Sequence, residues 1–203
     1  MRRRPERQVI DLKFICISGH AGSGKDTVAD MMRTYLWGYG ERVLITHYAD
    51  LLKYVCTNFF HWNGVKDEAG RTLLQHIGTD VVRSQEPDYW VGFLAHIFEL
   101  FPDQWDFVII PDCRFPNELD YLRAQGFDVT HIHINRPGFV GILTDDQRSH
   151  ASETSMDDIA PDHTIQNGGS LIDLIRSVTE TTYPIWKDEE DKRIEQDRIH
   201  GHH

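Results

Sequence analysis

A glycine-rich segment early in the chain, GHAGSGKDT at residues 19–27, places the strongest constraint on the fold. It directly follows the short β-prone apolar run at residues 14–18, and from Lys25 onward apolar residues recur at helical spacing. This order of strand, glycine loop and helix lets backbone N–H groups and a helix N-terminus surround phosphate oxygens. The segment therefore predicts a nucleotide-binding phosphate loop, from which Lys25 reaches the β- and γ-phosphates.

The residue after this lysine departs from the usual phosphate-loop pattern. Asp26 stands where the motif normally has a serine or threonine that contacts magnesium. A carboxylate here could hold Mg²⁺ through water or orient an acceptor phosphate, while Thr27 still offers a hydroxyl. Asp26 could also be a simple helix N-terminal acid, which the helix dipole stabilises. The spacing alone does not choose between these interpretations.

Strand and helix patterns alternate along the rest of the chain. Further strands are predicted at residues 42–48, 106–112, 128–135 and 162–167, and helices from about Asp50 and at residues 71–84, 88–101, 116–126 and 170–182. This alternation predicts a three-layer α/β fold with a mainly parallel sheet and ligands at the carboxyl ends of its strands. We expect one domain over residues 1–203, with a core at about 12–183, a helical acceptor-binding region at about 50–100, a lid at about 136–158 and a tail at 184–203.

Composition limits the partners of this fold. The formal net charge is −11, which argues against nucleic acid and anionic membrane surfaces because both attract clustered Lys and Arg. No apolar run approaches the length of a membrane span, and the opening MRRRPERQ has no signal-like apolar region behind it. The three cysteines, Cys16, Cys56 and Cys113, are too scattered for a disulfide framework and predict buried small side chains in a protein of the cytoplasm.

Charged residues follow the predicted strand at 106–112. In PDCRFPNE, Asp112 ends the strand and Arg114 comes two residues later, so together they could clamp a metal and a phosphate. A strand-end salt bridge is the alternative. Glu118 fits a first-turn helix acid.

Polar residues of the central helical region form a second candidate group. Arg71, Gln75 and Thr79 recur four apart and share one helical face, where Arg71 can bind a phosphate and the others can read a base. A solvated helix face has the same pattern. Lys53 is a further candidate for the acceptor phosphate, and Trp90 for base stacking, although a buried tryptophan is more often part of the core.

The polar segment 136–158 is expected to be a mobile excursion outside the core. Its Arg136, Arg148 and His150 could close over a transferring phosphoryl group and exclude water, with Glu153 nearby in sequence. A plain solvated loop is the alternative. His131 and His133 share a face of one strand, but no third ligand has metal-site spacing, so we interpret this pair as structural.

The strings SGKDT, HYADLLK, LLQHIGTD, DYWV, DCRFPNE, NRP and HASE occur in this order, and with them the chain resembles the bacteriophage deoxynucleoside monophosphate kinases over most of residues 14–182. In that family aspartate is the usual residue after the phosphate-loop lysine, so GKDT is expected to be a working variant. The resemblance implies transfer of the γ-phosphoryl group of ATP to a deoxynucleoside monophosphate with Mg²⁺, in the cytoplasm of the host if the protein is phage-encoded. It also implies small nucleotide substrates and a possible homodimer.

The resemblance assigns roles to named residues. ATP would be bound by Gly19, Ala21, Gly22, Ser23, Gly24, Lys25, Asp26 and Thr27. The monophosphate would be surrounded by Lys53, Arg71, Gly78, Thr79, Trp90, Asp112, Arg114 and Glu118, and Gln75, Arg148 and Glu153 complete the predicted substrate set. Lys25, Asp26, Arg114 and Arg136 are the predicted catalytic residues, and Asp26, Thr27 and Asp112 the predicted Mg²⁺ ligands, through water.

Two other functions fit the same phosphate loop. A small-metabolite kinase such as phosphomevalonate kinase of the animal type has a similar loop, whereas LLQHIGTD and DCRFPNE favour the nucleotide enzyme. A regulatory or assembly protein could bind ATP without turnover. The many arginines and carboxylates of this chain make that second alternative the weaker one.

Overall fold

A computed structural model of the chain describes residues 12–139 and 143–200. The basic opening segment, three residues of the predicted lid at 140–142, and the last three residues of the RIHGHH tail lie outside the described residues. Among the described residues, no helix combines the length and the apolar character that a membrane span requires.

Five parallel strands form one sheet. They are Lys13–Ser18 (β1), Val43–Ile45 (β2), Phe107–Ile110 (β3), Asp128–Asn135 (β4) and His163–Gln166 (β5), in the spatial order β2-β3-β1-β4-β5. Strand β1 therefore lies between β3 and β4, with its carboxyl end at the centre of the sheet edge where the phosphate loop begins. The predicted parallel sheet is confirmed.

Helices connect and cover the strands. They are Lys25–Trp37 (α1), Ala49–Phe59 (α2), Glu68–Gln75 (α3), Tyr89–Leu100 (α4), Pro116–Ala124 (α5), Asp145–Ser149 (α6), Ala151–Thr154 (α7) and Leu171–His200 (α8). A π-helical segment, His76–Arg83, continues α3. The region between β2 and β3 is thus helical, as the periodicity of residues 50–100 predicts.

Alternating side chains of the central strand build the two cores of the molecule. Phe14 and Cys16 pack with α4 and α5, while Ile15 and Ile17 pack with α1 and α8 on the opposite face. Helices therefore cover both faces of the sheet, which confirms the predicted three-layer α/β fold. The three cysteines are free and buried, as predicted.

Strand β2 is shorter than the predicted strand at 42–48. The chain turns away from the sheet after Ile45 because the backbone N–H of His47 donates to the Asp50 carboxylate (3.1 Å), and those of Tyr48 and Ala49 donate to Asp112 (both 2.9 Å). These bonds replace the sheet ladder and begin α2. The pattern of apolar residues at 42–48 does not reveal the carboxylates that compete for the amides.

The prediction that the core ends near residue 183 and a tail follows at 184–203 is wrong, because α8 continues through Pro184 to His200. Side chains on this extension bind the body of the protein. Trp186 donates to Glu41 (2.8 Å), Arg193 forms an ion pair with the same carboxylate (3.0 Å), and Lys192 pairs with Asp128 (2.8 Å). These tertiary contacts hold a helix whose own sequence is mostly polar.

The segment at 136–158 was expected to lie outside the core, and this is wrong for its second half. Helices α6 and α7 occupy part of it, and Gln147, Ser152 and Met156 are buried. The Gln147 amide donates to the backbone oxygen of Glu68 at the start of α3 (3.3 Å). Polar side chains are buried here because they satisfy backbone groups of the helical region, a pairing that local polarity does not indicate.

Candidate active site

The phosphate loop joins β1 to α1 through glycines that no other residue could replace without strain. Gly19, Gly22 and Gly24 all have positive φ, and a Cβ on Gly19 would lie 2.5 Å from the backbone oxygen of Ile134. Gly24 leads directly into α1, so the first amides of this helix face the loop. The local geometry is that of an anion-binding turn.

Lys25 lies across this loop. Its Nζ donates to the backbone oxygens of Gly19 (2.6 Å) and His20 (3.0 Å). Burial, and next the guanidinium of Arg114, lower the pKa of Lys25 to about 8. A bound anion would favour the charged ammonium again, so the lysine is suited to a phosphate ligand.

Asp26 projects from the first turn of α1 toward the end of β2. His47 donates to its Oδ1 (3.0 Å), and this hydrogen bond lowers the pKa of Asp26 and raises the pKa of His47. The Asp26 side chain is 82% exposed, and Thr27 is also exposed. Carboxylate and hydroxyl oxygens are the donors that Mg²⁺ prefers, so this pair fits a metal held through water.

Asp112 follows β3 and binds the start of α2. Its Oδ1 and Oδ2 accept from the backbone N–H groups of Tyr48 and Ala49, both at 2.9 Å. The carboxylate thereby stabilises the positive end of the helix. Each oxygen retains a second lone pair, and a contact with Mg²⁺ through water is compatible with this arrangement.

Arg114 and Glu153 connect the phosphate loop to the segment after β3. Arg114 donates to the backbone oxygen of Ser152 (2.8 Å) and forms an ion pair with Oε1 of Glu153. The other oxygen of Glu153 accepts from the backbone N–H of Ala21 in the loop (3.0 Å). The Arg114 side chain remains 36% exposed, whereas that of Glu153 is 6% exposed. One guanidinium is therefore fixed next to the phosphate loop with part of its surface free.

Glu118 binds the turn that follows β3. Its carboxylate accepts from the backbone N–H groups of Arg114 (2.7 Å) and Phe115 (3.1 Å) and from the side chain of Arg83 (2.7 Å). Burial raises the pKa of Glu118, even though Arg83 opposes this. These contacts show a buried anchor that fixes the turn carrying Arg114, and they confirm the first-turn helix acid that the sequence predicts. A contact of Glu118 with the monophosphate stays a prediction.

Replacing Glu118 by alanine is expected to lower the free energy of unfolding by about 3–5 kcal/mol. The substitution leaves the buried Arg83 guanidinium and the backbone N–H groups of Arg114 and Phe115 without their hydrogen-bond acceptor. Urea denaturation would measure the change. Asp30→Ala is the matched control, since Asp30 pairs with Arg33 on the surface and should contribute less than about 1 kcal/mol. Equal losses in the two variants would contradict the anchoring role.

A cleft opens beside the phosphate loop. We call it the basic cleft, and its wall consists of Tyr48, Ala49, Leu52, Lys53, Lys66, Arg71, Leu74, Gln75, Gly78, Thr79, Arg83, Trp90, Asp112, Arg114, Phe115, Glu118, Leu143, Ser152 and Glu153. Of the predicted substrate-binding residues, all but Arg148 line it. Arg148 instead donates to the backbone oxygen of Leu143 (2.7 Å).

The π-helical segment shapes one wall of the basic cleft. The indole N–H of Trp90 donates to the backbone oxygen of Gly78 (3.0 Å), and a Cβ on Gly78 would lie 2.6 Å from Leu52. Gln75 and Thr79 line the same wall, while Trp90 is buried in the core behind it. Trp90 is thus a core residue, as one of the two interpretations predicts, and it also borders the cleft. Base stacking on Trp90 stays a prediction.

Arg136 approaches the phosphate loop from the end of β4. Its guanidinium donates to the backbone oxygen of Gly22 (2.8 Å) and lies over the ring of Phe139, 4.3 Å from its centre. The Asn167 amide donates to the backbone oxygen of Ser23 on the other side of the loop (2.8 Å). Both side chains support loop carbonyls, so the glycine-rich turn is held in shape from two directions.

His131 and His133 both bind the hydroxyl of Ser18, at 2.8 and 3.0 Å from its oxygen. Among the described residues, neither histidine belongs to a cluster of three metal-ligating side chains. Their role in the structure is to join β4 to the end of β1, as expected from the sequence.

Several cleft and loop residues escape the sequence analysis. Arg83 extends the four-residue spacing of Arg71, Gln75 and Thr79 by one step, so the pattern contained a signal for it. Lys66, His47 and Asn167 have no such pattern. Each reaches the site only because the fold brings a loop or a strand end next to it.

Comparison with known proteins identifies the family. Residues 46–178, well over half of the chain, match the family described as deoxynucleotide monophosphate kinase. The chain belongs to this family. The family match contains the basic cleft but begins after the phosphate loop, so the loop is a separate indication of nucleotide binding.

Relatives named deoxynucleotide monophosphate kinase occur in two bacteriophages. The protein of Enterobacteria phage T4 is 33% identical over 122 residues, which cover 59% of this chain and 48% of that protein. The protein of Escherichia phage RB69 is 31% identical over 110 residues, which cover 53% of this chain and 42% of that protein. The chain spans less than half the length of these curated relatives.

The shikimate kinase of Aquifex aeolicus is a distant structural likeness, with 13% identity, a TM-score of 0.48, and coverage of 84% of this chain and 96% of that chain.

Proposed function

We propose that this protein transfers the γ-phosphoryl group of ATP to a deoxynucleoside 5′-monophosphate, giving the diphosphate and ADP. The observation that carries the proposal is the contact between Glu153 and both the phosphate loop and Arg114. This contact joins a loop suited to a triphosphate to a cleft suited to a second anion. A phosphotransferase needs two such adjacent sites.

The chemical step requires positioning and charge neutralisation rather than a covalent intermediate. An oxygen of the acceptor phosphate attacks the γ-phosphorus of ATP, and the bond from that phosphorus to the β–γ bridging oxygen breaks. Negative charge develops on the transferring group and on the departing ADP. Lys25 and Arg114 are the cations that we assign to this charge, and Arg136 holds the loop in place.

Magnesium fits the oxygen-rich side of the phosphate loop. We propose that Asp26 and Thr27 hold Mg²⁺ through water, with Asp112 contributing at longer range. The ion would neutralise phosphate charge when bound. His47 orients the Asp26 carboxylate through its hydrogen bond.

The nucleotide part of the acceptor is assigned to the wall formed by Gln75, Thr79 and Trp90. An amide and a hydroxyl can donate and accept hydrogen bonds with a base edge, and an indole supplies an apolar flat surface. Phosphomevalonate offers no base for these groups. The composition of the wall therefore supports a nucleotide acceptor over a small metabolite.

A panel of acceptors tests this function. The common deoxy- and ribonucleoside monophosphates and phosphomevalonate would each be supplied with ATP and Mg²⁺, and ADP release would be followed with a coupled assay. We expect turnover with at least one deoxynucleoside monophosphate and none with phosphomevalonate. Turnover with phosphomevalonate alone would indicate the metabolite kinase, and ATP binding without ADP release for any acceptor would indicate a non-catalytic nucleotide-binding protein.

The family resemblance also supports two statements about the working state of the enzyme. We propose a homodimer, which light scattering after size-exclusion chromatography would test. We further propose that it acts in a reducing cytoplasm, that of the host if the gene is carried by a phage, because its three cysteines are free.

A further inference from the structure

The loop between α2 and α3 brings a lysine to the basic cleft. Lys66 lines this cleft together with Lys53, Arg71 and Arg114. It follows Asn63, Gly64 and Val65 in a short loop, where its sequence context gives no indication of a ligand contact. Neither the family resemblance nor the helical spacing of the neighbouring residues assigns it a role.

Hydrogen bonds give this loop a defined shape. Trp62 is buried against α2 and the π-helical segment, and its indole N–H donates to the backbone oxygen of Val65 (3.0 Å). The backbone N–H of Val65 in turn donates to the Asn63 side chain (2.9 Å). The residue just before Lys66 is therefore fixed on both of its backbone polar groups.

The other side of the loop is fixed by the first turn of α3. Asp67 is the N-cap of this helix, and its carboxylate accepts from the backbone N–H of Gly70 (2.8 Å). Gly70 packs so closely that a Cβ there would collide with the backbone oxygen of Val65. The backbone on both sides of Lys66 is consequently held against α3, and this fixes the point from which the lysine side chain extends.

Charge pairing separates the five cations of the basic cleft into two groups. Lys53 pairs with Asp50 (2.8 Å), Arg83 with Glu118 (2.7 Å), and Arg114 with Glu153. In contrast, the side chains of Lys66 and Arg71 form no hydrogen bond or ion pair with another described residue. Burial, and next the nearby ammonium of Lys53, lower the pKa of Lys66. The cleft thus has a surplus of positive charge, although the chain as a whole carries a net charge of −11.

We infer that Lys66 and Arg71 together bind the 5′-phosphate of the acceptor nucleotide, with Lys66 as a residue that determines affinity for the monophosphate. A phosphate monoester carries a charge close to −2 near neutral pH and has three acceptor oxygens, so it can bind two cations at once. This inference rests on the proposed function and assigns a specific contact within it. The phosphates of ATP are assigned to the phosphate loop and Lys25, so Lys66 and Arg71 remain available for the acceptor.

Steady-state kinetics of Lys66→Met test the assignment. We expect the KM for the best deoxynucleoside monophosphate to rise about 10-fold or more, as the loss of one charge-assisted contact requires, while the KM for ATP stays within about 2-fold. Lys66→Arg keeps the charge and should recover most of the affinity. Lys187→Met, which removes an exposed lysine that pairs with Asp191 on α8, is the matched control and should leave both constants unchanged.

The outcomes separate this inference from the proposed function. An unchanged monophosphate KM in Lys66→Met, or a rise confined to the KM for ATP, would overturn the inference while leaving the kinase assignment intact. If the unaltered protein shows no turnover, calorimetric titration with the same monophosphate replaces kinetics. Weaker binding by Lys66→Met would then support the contact, and equal binding, or no binding by either protein, would overturn it.

Discussion

Replacing Lys25 by methionine is expected to lower kcat roughly 10³-fold, on the scale reported for single preorganised donors to a transition state. The ammonium is held by the carbonyls of Gly19 and His20 beside the turn that we assign to the triphosphate. Methionine has a similar length and no charge, so it removes the electrostatic contribution and leaves the packing largely as it is. Coupled measurement of ADP release with saturating acceptor would give the change.

The Lys25 result requires that the fold survive. Within the part of the chain that the structure describes, the ammonium bonds only to carbonyls of its own loop, so we expect the thermal unfolding midpoint to change little. Lys187→Met serves as the control for loss of a lysine elsewhere, and it should keep full activity. Near-normal turnover in Lys25→Met would contradict the assignment of the phosphate loop to ATP.

Replacing Arg114 by methionine is expected to lower kcat/KM roughly 10²- to 10³-fold. The guanidinium bonds to Ser152 and Glu153, and Glu153 bonds to the amide of Ala21, so the arginine lies where the phosphate loop meets the basic cleft. Its loss removes one cation from the transferring group and loosens the contact between the two sites. Both effects act on the transition state more than on either substrate alone.

Two further variants distinguish the charge of Arg114 from its structural contacts. Glu153→Gln keeps the size of the side chain and an oxygen for the Ala21 amide, so it should cost less activity than Arg114→Met. Arg123→Met removes an exposed arginine 3.7 Å from Asp162 and should have no measurable effect. Equal activity of Arg114→Met and Arg123→Met would rule out a role for Arg114 in transfer.

The phosphate loop was predictable from the sequence because its determinants are contiguous. Gly19 and Gly24 supply the backbone conformations, and Lys25 follows directly. The strand and helix on either side also come from neighbouring residues. Physical rules of short range therefore suffice for this part of the site.

The role of Glu118 could not be predicted in the same way. The sequence predicts a first-turn helix acid, which the structure confirms, but it does not reveal that the same carboxylate binds the backbone of Arg114 and the side chain of Arg83. The pairing spans a turn and a separate helical segment, so it depends on tertiary packing. The extension of α8 has a similar cause, because Glu41 lies far from Trp186 and Arg193 in sequence.

Lys66 is a cleft residue that the sequence patterns do not identify. A lysine in a polar loop is ordinarily solvated, and its helical neighbours give it no periodic pattern. The packing of Gly70 against Val65 indicates it, together with the lack of a side-chain hydrogen bond or ion pair from Lys66 to another described residue. Charge balance within a cleft is a property of the folded chain and is not encoded in local spacing.

Transfer of label from [γ-³²P]ATP tests the central claim most directly. The protein would be incubated with labelled ATP, Mg²⁺ and a deoxynucleoside monophosphate, and the products separated by thin-layer chromatography. We predict that the label appears in the deoxynucleoside diphosphate with the unaltered protein and is absent from it with Lys25→Met. Label that stays in ATP, or that is released only as inorganic phosphate while the monophosphate remains unlabelled, would contradict the account.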